Sequence, residues 1–140
     1  MMPKTDIEVK VKMFCKLFDE FLTDVAKIYP GDMSLKLLHN ACNMIVAVDS
    51  QAFVLEVMSY IGPYSEEILN RNENFFKNEI NKLRKDETVD YIFSEMKKVH
   101  DIWVNKETSD NTKECIWKYF TLFVKLGNSI VTQLINSERI

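Results

Sequence analysis

The sequence predicts an all-α protein, a single-domain bundle of five or six helices over residues 1–140, with long first and last helices. Three observations carry that expectation. Apolar residues recur at alternating steps of three and four, and Pro and Gly fall between those runs. No stretch alternates polar and apolar residues between turns as a half-buried strand would. A chain of 140 residues should remove roughly 70% of its unfolded surface from water, enough for a core without disulfides.

The first helix is expected from about Thr5 to Ile28. Thr5 with Glu8 has capping-box spacing, and Ile7, Val11, Phe14, Phe18, Phe21, Val25 and Ile28 repeat on one face. The tetrapeptide YPGD at 29–32 ends it, because Pro30 cannot continue a helix and Gly31 tolerates the turn. A second periodic run, Leu35, Leu38, Cys42, Ile45 and Val48, leads to Asp49 and Ser50, either able to cap a third helix carrying Phe53, Val54, Val57 and Ile61. Gly62-Pro63 stops that helix, and a helical turn around Ser65 to Asn70 follows. Residues 70–87, with Phe75, Phe76, Ile80 and Leu83 as a weak apolar pattern, fit either a short helix or an ordered loop. From Thr88, the residues Val89, Ile92, Met96, Val99 and Trp103 mark one face of a further helix. After the polar connector NKETSDN, Asn111 and Glu114 repeat the capping-box spacing and open the last helix.

That last segment, ECIWKYFTLFVKLGNSIVTQLI, is the most distinctive of the chain, with aromatic and aliphatic side chains outnumbering all others. A spanning helix needs about 20 mostly apolar residues, and Lys118, Lys125, Asn128, Ser129 and Gln133 interrupt this one. Ile116, Phe120, Phe123, Gly127, Ile130 and Leu134 instead form a helical seam, with Trp117, Val124 and Val131 beside it, so the segment reads as a core helix. Gly127 within the seam costs about 1 kcal/mol of helix propensity relative to Ala, which points to a close approach by another helix, with the first as the expected neighbour. The first and last helices, each about 36 Å long at 1.5 Å per residue, suit pairing with each other and equally a homodimer seam.

Composition excludes several function classes. The net charge of -3 gives no footprint for nucleic acid or an anionic membrane. Cys15, Cys42 and Cys115 are odd in number and set in apolar patterns, which favours reduced thiols and an intracellular setting. The opening MMPKTDIEVKVK has neither the apolar core of a signal peptide nor an Arg-rich transit pattern. Three glycines assemble no phosphate-cradling loop. His39 and Cys42 stand three apart but no second pair completes a metal site, Asp19-Glu20 and Glu66-Glu67 diverge on a helix, and Cys15 lacks a histidine nearby in sequence. No catalytic, cofactor or metal residue is therefore assigned, and no cofactor is expected.

Two groups remain as candidate contacts. Trp117, Trp103, Phe75 and Phe76 are the aromatic residues that could meet a protein partner, with Trp117 left between core and exposed shoulder. Lys77, Lys82, Arg84 and Lys85 follow the phenylalanine pair and form the minimum of a single-strand nucleic-acid patch, although Glu73, Glu79, Asp86 and Glu87 surround them. Against a nucleic-acid role, the first 70 residues carry six lysines and ten acids.

FCKLFDEFLTDVAKIYPGD, ENFFKNE and ECIWKYFTLFVKLG together resemble the small uncharacterised helical proteins of large nucleo-cytoplasmic DNA viruses of algae and protists. The resemblance spans most of the chain and carries no catalytic motif. It implies a viral product made in the infected host cell, in the cytoplasm, viral factory or virion, acting by contact with viral or host proteins. The leading expectation is thus a non-enzymatic helical interaction protein, an assembly component or an adaptor. The alternative is a nucleic-acid-associated accessory factor using residues 77–85.

Overall fold

The computed structural model describes residues 2–80 and 96–138, and every regular element among them is helical. α1 runs Met2–Ile28 and α2 Met33–Ile61; a 3-10 turn, Gly62–Tyr64, leads into α3, Ser65–Leu69; α4 is Asn74–Lys77, α5 Met96–Val104 and α6 Asp110–Glu138. The all-α fold with long first and last helices is as the periodicity requires. Helix α1 begins upstream of Thr5, so the expected capping box falls inside it.

The turn after α1 follows its chemistry. Gly31 takes φ 83°, and Asp32 caps α2 by accepting from the Leu35 amide at 3.1 Å. α2 consists of two helical runs, as expected from sequence, that meet at a kink at Asp49, whose backbone is extended (φ -158°, ψ 91°) and whose carboxylate accepts from the Ala52 amide at 3.0 Å. Asp49 is thus the N-cap of the second run. α3 ends in a Schellman arrangement: the Arg71 amide donates to the Ile68 carbonyl at 3.1 Å and the Asn72 amide to Glu67 at 2.9 Å. Arg71 occupies the left-handed position (φ 55°) usual for Gly, and its guanidinium grips Glu114 of α6 through two bonds of 2.7 and 2.8 Å. Glu114 is therefore no capping-box partner of Asn111; Ser109 caps α6 instead, accepting from the Thr112 amide at 3.1 Å.

α1 packs against both α2 and α6, which also touch each other. Phe14 and Phe18 lie 5.5 and 5.3 Å from Phe123, Phe21 lies 5.5 Å from Phe120, and Phe18 meets Phe53 edge-on at 5.1 Å. The expected α1–α6 pairing is present, and α6 is a wall of the core: Ile116, Trp117, Phe120, Phe123, Val124 and Ile130 are all buried. The start of α1 meets the end of α6 through a polar network, in which Lys10 donates to Ser129 (2.7 Å) and Gln133 (3.0 Å) and Gln133 donates to Asp6 (2.8 Å). Lys98 of α5 pairs with Asp32 at 2.9 Å and so ties α5 to the α1–α2 turn.

Two apolar positions depart from the expected seams. Val48 and Ile28 are exposed. Each lies three residues beyond the last inward residue, and a step of three under-rotates a 3.6-residue helix by about 60°, so the Cys42–Ile45–Val48 run turns off the core face one step at a time. Gly127 does mark a close crossing, but with α2 rather than α1: a Cβ there would stand 2.2 Å from Met58 Sδ and 2.7 Å from its Cγ.

Candidate interaction surface

The four aromatics expected to face a partner are brought together, but inside. Phe75 and Phe76 are fully buried, Trp103 is 2% exposed and Trp117 6%. Phe76 stacks on Trp103 at 4.5 Å and meets Trp117 at 4.7 Å, while the two tryptophans stand edge-on at 5.2 Å. This corrects the contact reading of all four residues. The physical reason is area: each ring removes 150–250 Å² from water, and the short α4 seats Phe75 and Phe76 against α5 and α6, so the core gains what an interface would otherwise have covered. Lys113 lies 5.4 Å over the Trp103 ring, and the Trp103 indole N–H finds no acceptor among the described residues.

Of the four basic candidates, Lys77 is exposed and pairs with Glu73 one turn earlier at 3.8 Å. Lys82, Arg84 and Lys85 lie outside the described residues.

The chemistry-bearing side chains sit in tight surroundings. His39 Nε2 hydrogen-bonds the Asp19 carboxylate, and both line a crevice of about 10 Å³ with Cys15 and Cys42, room for no more than one water. Burial pushes the Cys15 thiol up to about 11 and Cys42 up to about 12, so both stay protonated at neutral pH. Cys15 donates weakly to the Ser50 carbonyl at 3.9 Å. No group of three or more His, Cys, Asp or Glu among the described residues is disposed to hold a metal. A shallow groove of about 200 Å³ between α1 and α6 is lined by Asp24, Cys115, Lys118, Tyr119 and Leu122; sites for small ligands usually run from about 300 Å³ upward. Within it Tyr119 donates to Asp24 at 2.5 Å, and burial together with that carboxylate raises the phenol's pKa.

The surface that stands out is the outer side of α2. Leu35, Leu38 and Cys42 face the core, and on the opposite side Met33, Leu37, Met44 and Val48 are 63, 56, 70 and 88% exposed. Asn40, Ala41 and Ala47 complete this stripe, which runs about 22 Å along the axis at 1.5 Å per residue. Between Leu37 and Val48 the sequence holds no Lys, Arg, Asp or Glu. The helix is apolar on both faces, an arrangement that usually signals a second covering layer. The stretch Met33–Leu69 is also long and apolar enough, by length and composition, to cross a membrane; the segment singled out for that question from sequence was α6. Sequence reasoning missed the stripe because one helical face was enough to explain α2, although the signal was present in Met33, Leu37, Met44 and Val48 at steps of four and seven. No family model, curated protein or solved structure matches this chain.

Proposed function

We propose that this chain is a non-enzymatic helical interaction protein that presents the outer face of α2 to a protein partner inside the cell that makes it. The observation that supports this reading is the uncharged stripe itself: four large apolar side chains aligned opposite the face that α2 already buries. At ~25 cal/mol per Å², covering such a stripe is worth several kcal/mol, and contiguous exposed apolar patches commonly mark contact sites. The protonated inner thiols and the small clefts favour contact over catalysis. On the viral resemblance, the partner is a viral or host protein and the role is that of a virion or factory assembly component or an adaptor.

The tagged protein and its Met44→Glu variant, each recovered from the infected host cell, test the proposal. Partners should be retained by the parent and lost from the variant while its circular dichroism stays unchanged, because Met44 is exposed. Retention of one and the same set by both overturns this reading. Nucleic-acid binding that survives about 200 mM salt, where a few phosphate contacts no longer suffice, would put the accessory-factor alternative in its place.

A further inference from the structure

The α2 stripe has a symmetry that selects its occupant. Met33, Leu37, Asn40 with Ala41, Met44 and Val48 are spaced the same from either end, and Ala47 on the flank is matched by Ser34, likewise small and exposed. If two such helices lie antiparallel with the two-fold axis between residues 40 and 41, Met33 faces Val48 and Leu37 faces Met44, each twice, while Asn40 and Ala41 flank the axis. A two-fold interface needs this kind of self-complementary surface. We propose that the outer face of α2 pairs antiparallel with the same face of a second copy of this chain. The inference rests on the reading of that face as a contact surface and names what covers it.

Charge points the same way. A stripe free of Lys, Arg, Asp and Glu from Leu37 to Val48 can meet itself without like-charge repulsion, whereas a partner chosen by charge would find nothing there to recognise. His39, beside Asn40 in the sequence, is turned aside onto Asp19. Lys36 is the one Lys or Arg between Met33 and Val48, and a helix lying on a lipid surface usually carries several on its polar side. Asn40 sits beside the axis with an amide that both donates and accepts, so the two copies' amides can pair reciprocally and set the register, as a single polar residue does in helix dimers. Ala41 and Ala47 leave room for the close interaxial distance of about 8–10 Å typical of packed helices. The stripe offers on the order of 500 Å² per copy, ~1,000 Å² for the pair, the lower edge of a stable interface. The dimer is therefore reversible and concentration-dependent.

Sedimentation equilibrium of the full chain over a wide concentration range tests this, with urea unfolding as the control for fold. The parent should pass from monomer to dimer, and Leu37→Glu or Met44→Lys alone should raise the dissociation constant by about 30-fold or more, as loss of an interface anchor does. The double variant Leu37→Glu/Met44→Lys should recover most of the lost affinity, because the antiparallel register sets each new acid against the new base of the other copy. A parent that stays monomeric, a dimer indifferent to either single change, or a double variant no tighter than the singles overturns the second copy as occupant. If the parent is monomeric yet binds a cellular protein, or neutral phosphatidylcholine vesicles, in a manner abolished by Met44→Lys, the second copy is refuted; protein capture leaves the functional reading standing, and vesicle binding does not.

Discussion

Gly127 and Met58 form a pair whose energetics can be worked from distances. A methyl added at position 127 would lie 2.2 Å from Met58 Sδ, 2.7 Å from Cγ and 2.9 Å from Cε, where non-bonded heavy atoms settle at about 3.5–4.0 Å. Met58 is 6% exposed, and the same helix holds Val57 and Ile61 buried beside it. Its thioether must therefore move into occupied space, an overpacking cost of about 1–3 kcal/mol. Against this, Gly→Ala inside a helix contributes about 1 kcal/mol of propensity. Gly127→Ala should thus be neutral to ~2 kcal/mol destabilising, and Gly127→Leu clearly worse. Met58→Ala alone should cost about 2–5 kcal/mol. In that background the obstacle is gone, so Gly127→Ala should stabilise by about 1 kcal/mol, a coupling of roughly 1–3 kcal/mol between the two positions. Urea unfolding of the four proteins, with midpoints compared at constant slope, reads the cycle. If Gly127→Ala stabilises both backgrounds equally, α2 and α6 do not cross at this glycine and the packing argument fails.

Two further outcomes follow from the buried aromatics and the carboxylates. Phe76→Ala and Trp117→Ala should each cost roughly 3–5 kcal/mol of stability, since both rings lie in one buried cluster with Trp103; a melting profile equal to the parent's for Trp117→Ala would return that residue to the surface. Acid titration should reveal three paired carboxylates: Asp6, held low by the Gln133 and Lys10 bonds, Asp32, by Lys98 and the Leu35 amide, and Glu114, by Arg71. Each has a folded pKa below its unfolded one, so its contribution is complete above the ordinary values of 3.8 and 4.5 and is lost as pH falls through the lower folded pKa. Urea midpoints should therefore be flat with respect to these groups above about pH 5 and drop below pH 4, and Arg71→Met should flatten the part of that drop due to Glu114.

Local chemistry was legible wherever one residue type dictates one backbone outcome. Pro30 and Gly31 end α1, Asp49 breaks α2 into two runs, Gly62-Pro63 stops it, and the seam from Ile116 to Ile130 buries as its spacing requires. Those features depend on neighbours within a turn or two, which the chain order already supplies. Which residues share a site was not legible, because it depends on contacts between segments far apart in sequence. Phe75 and Phe76 resembled an exposed anchor until α5 and α6 enclosed them, and Gly127 asked for a close neighbour without naming Met58. The outer stripe of α2 shows the division most clearly. The sequence alone determined that large apolar residues stand on two opposite sides of this helix, since residue order sets that. Only the tertiary structure decided which side remains in water, because α1 and α6 can cover one face of α2 and no described element reaches the other.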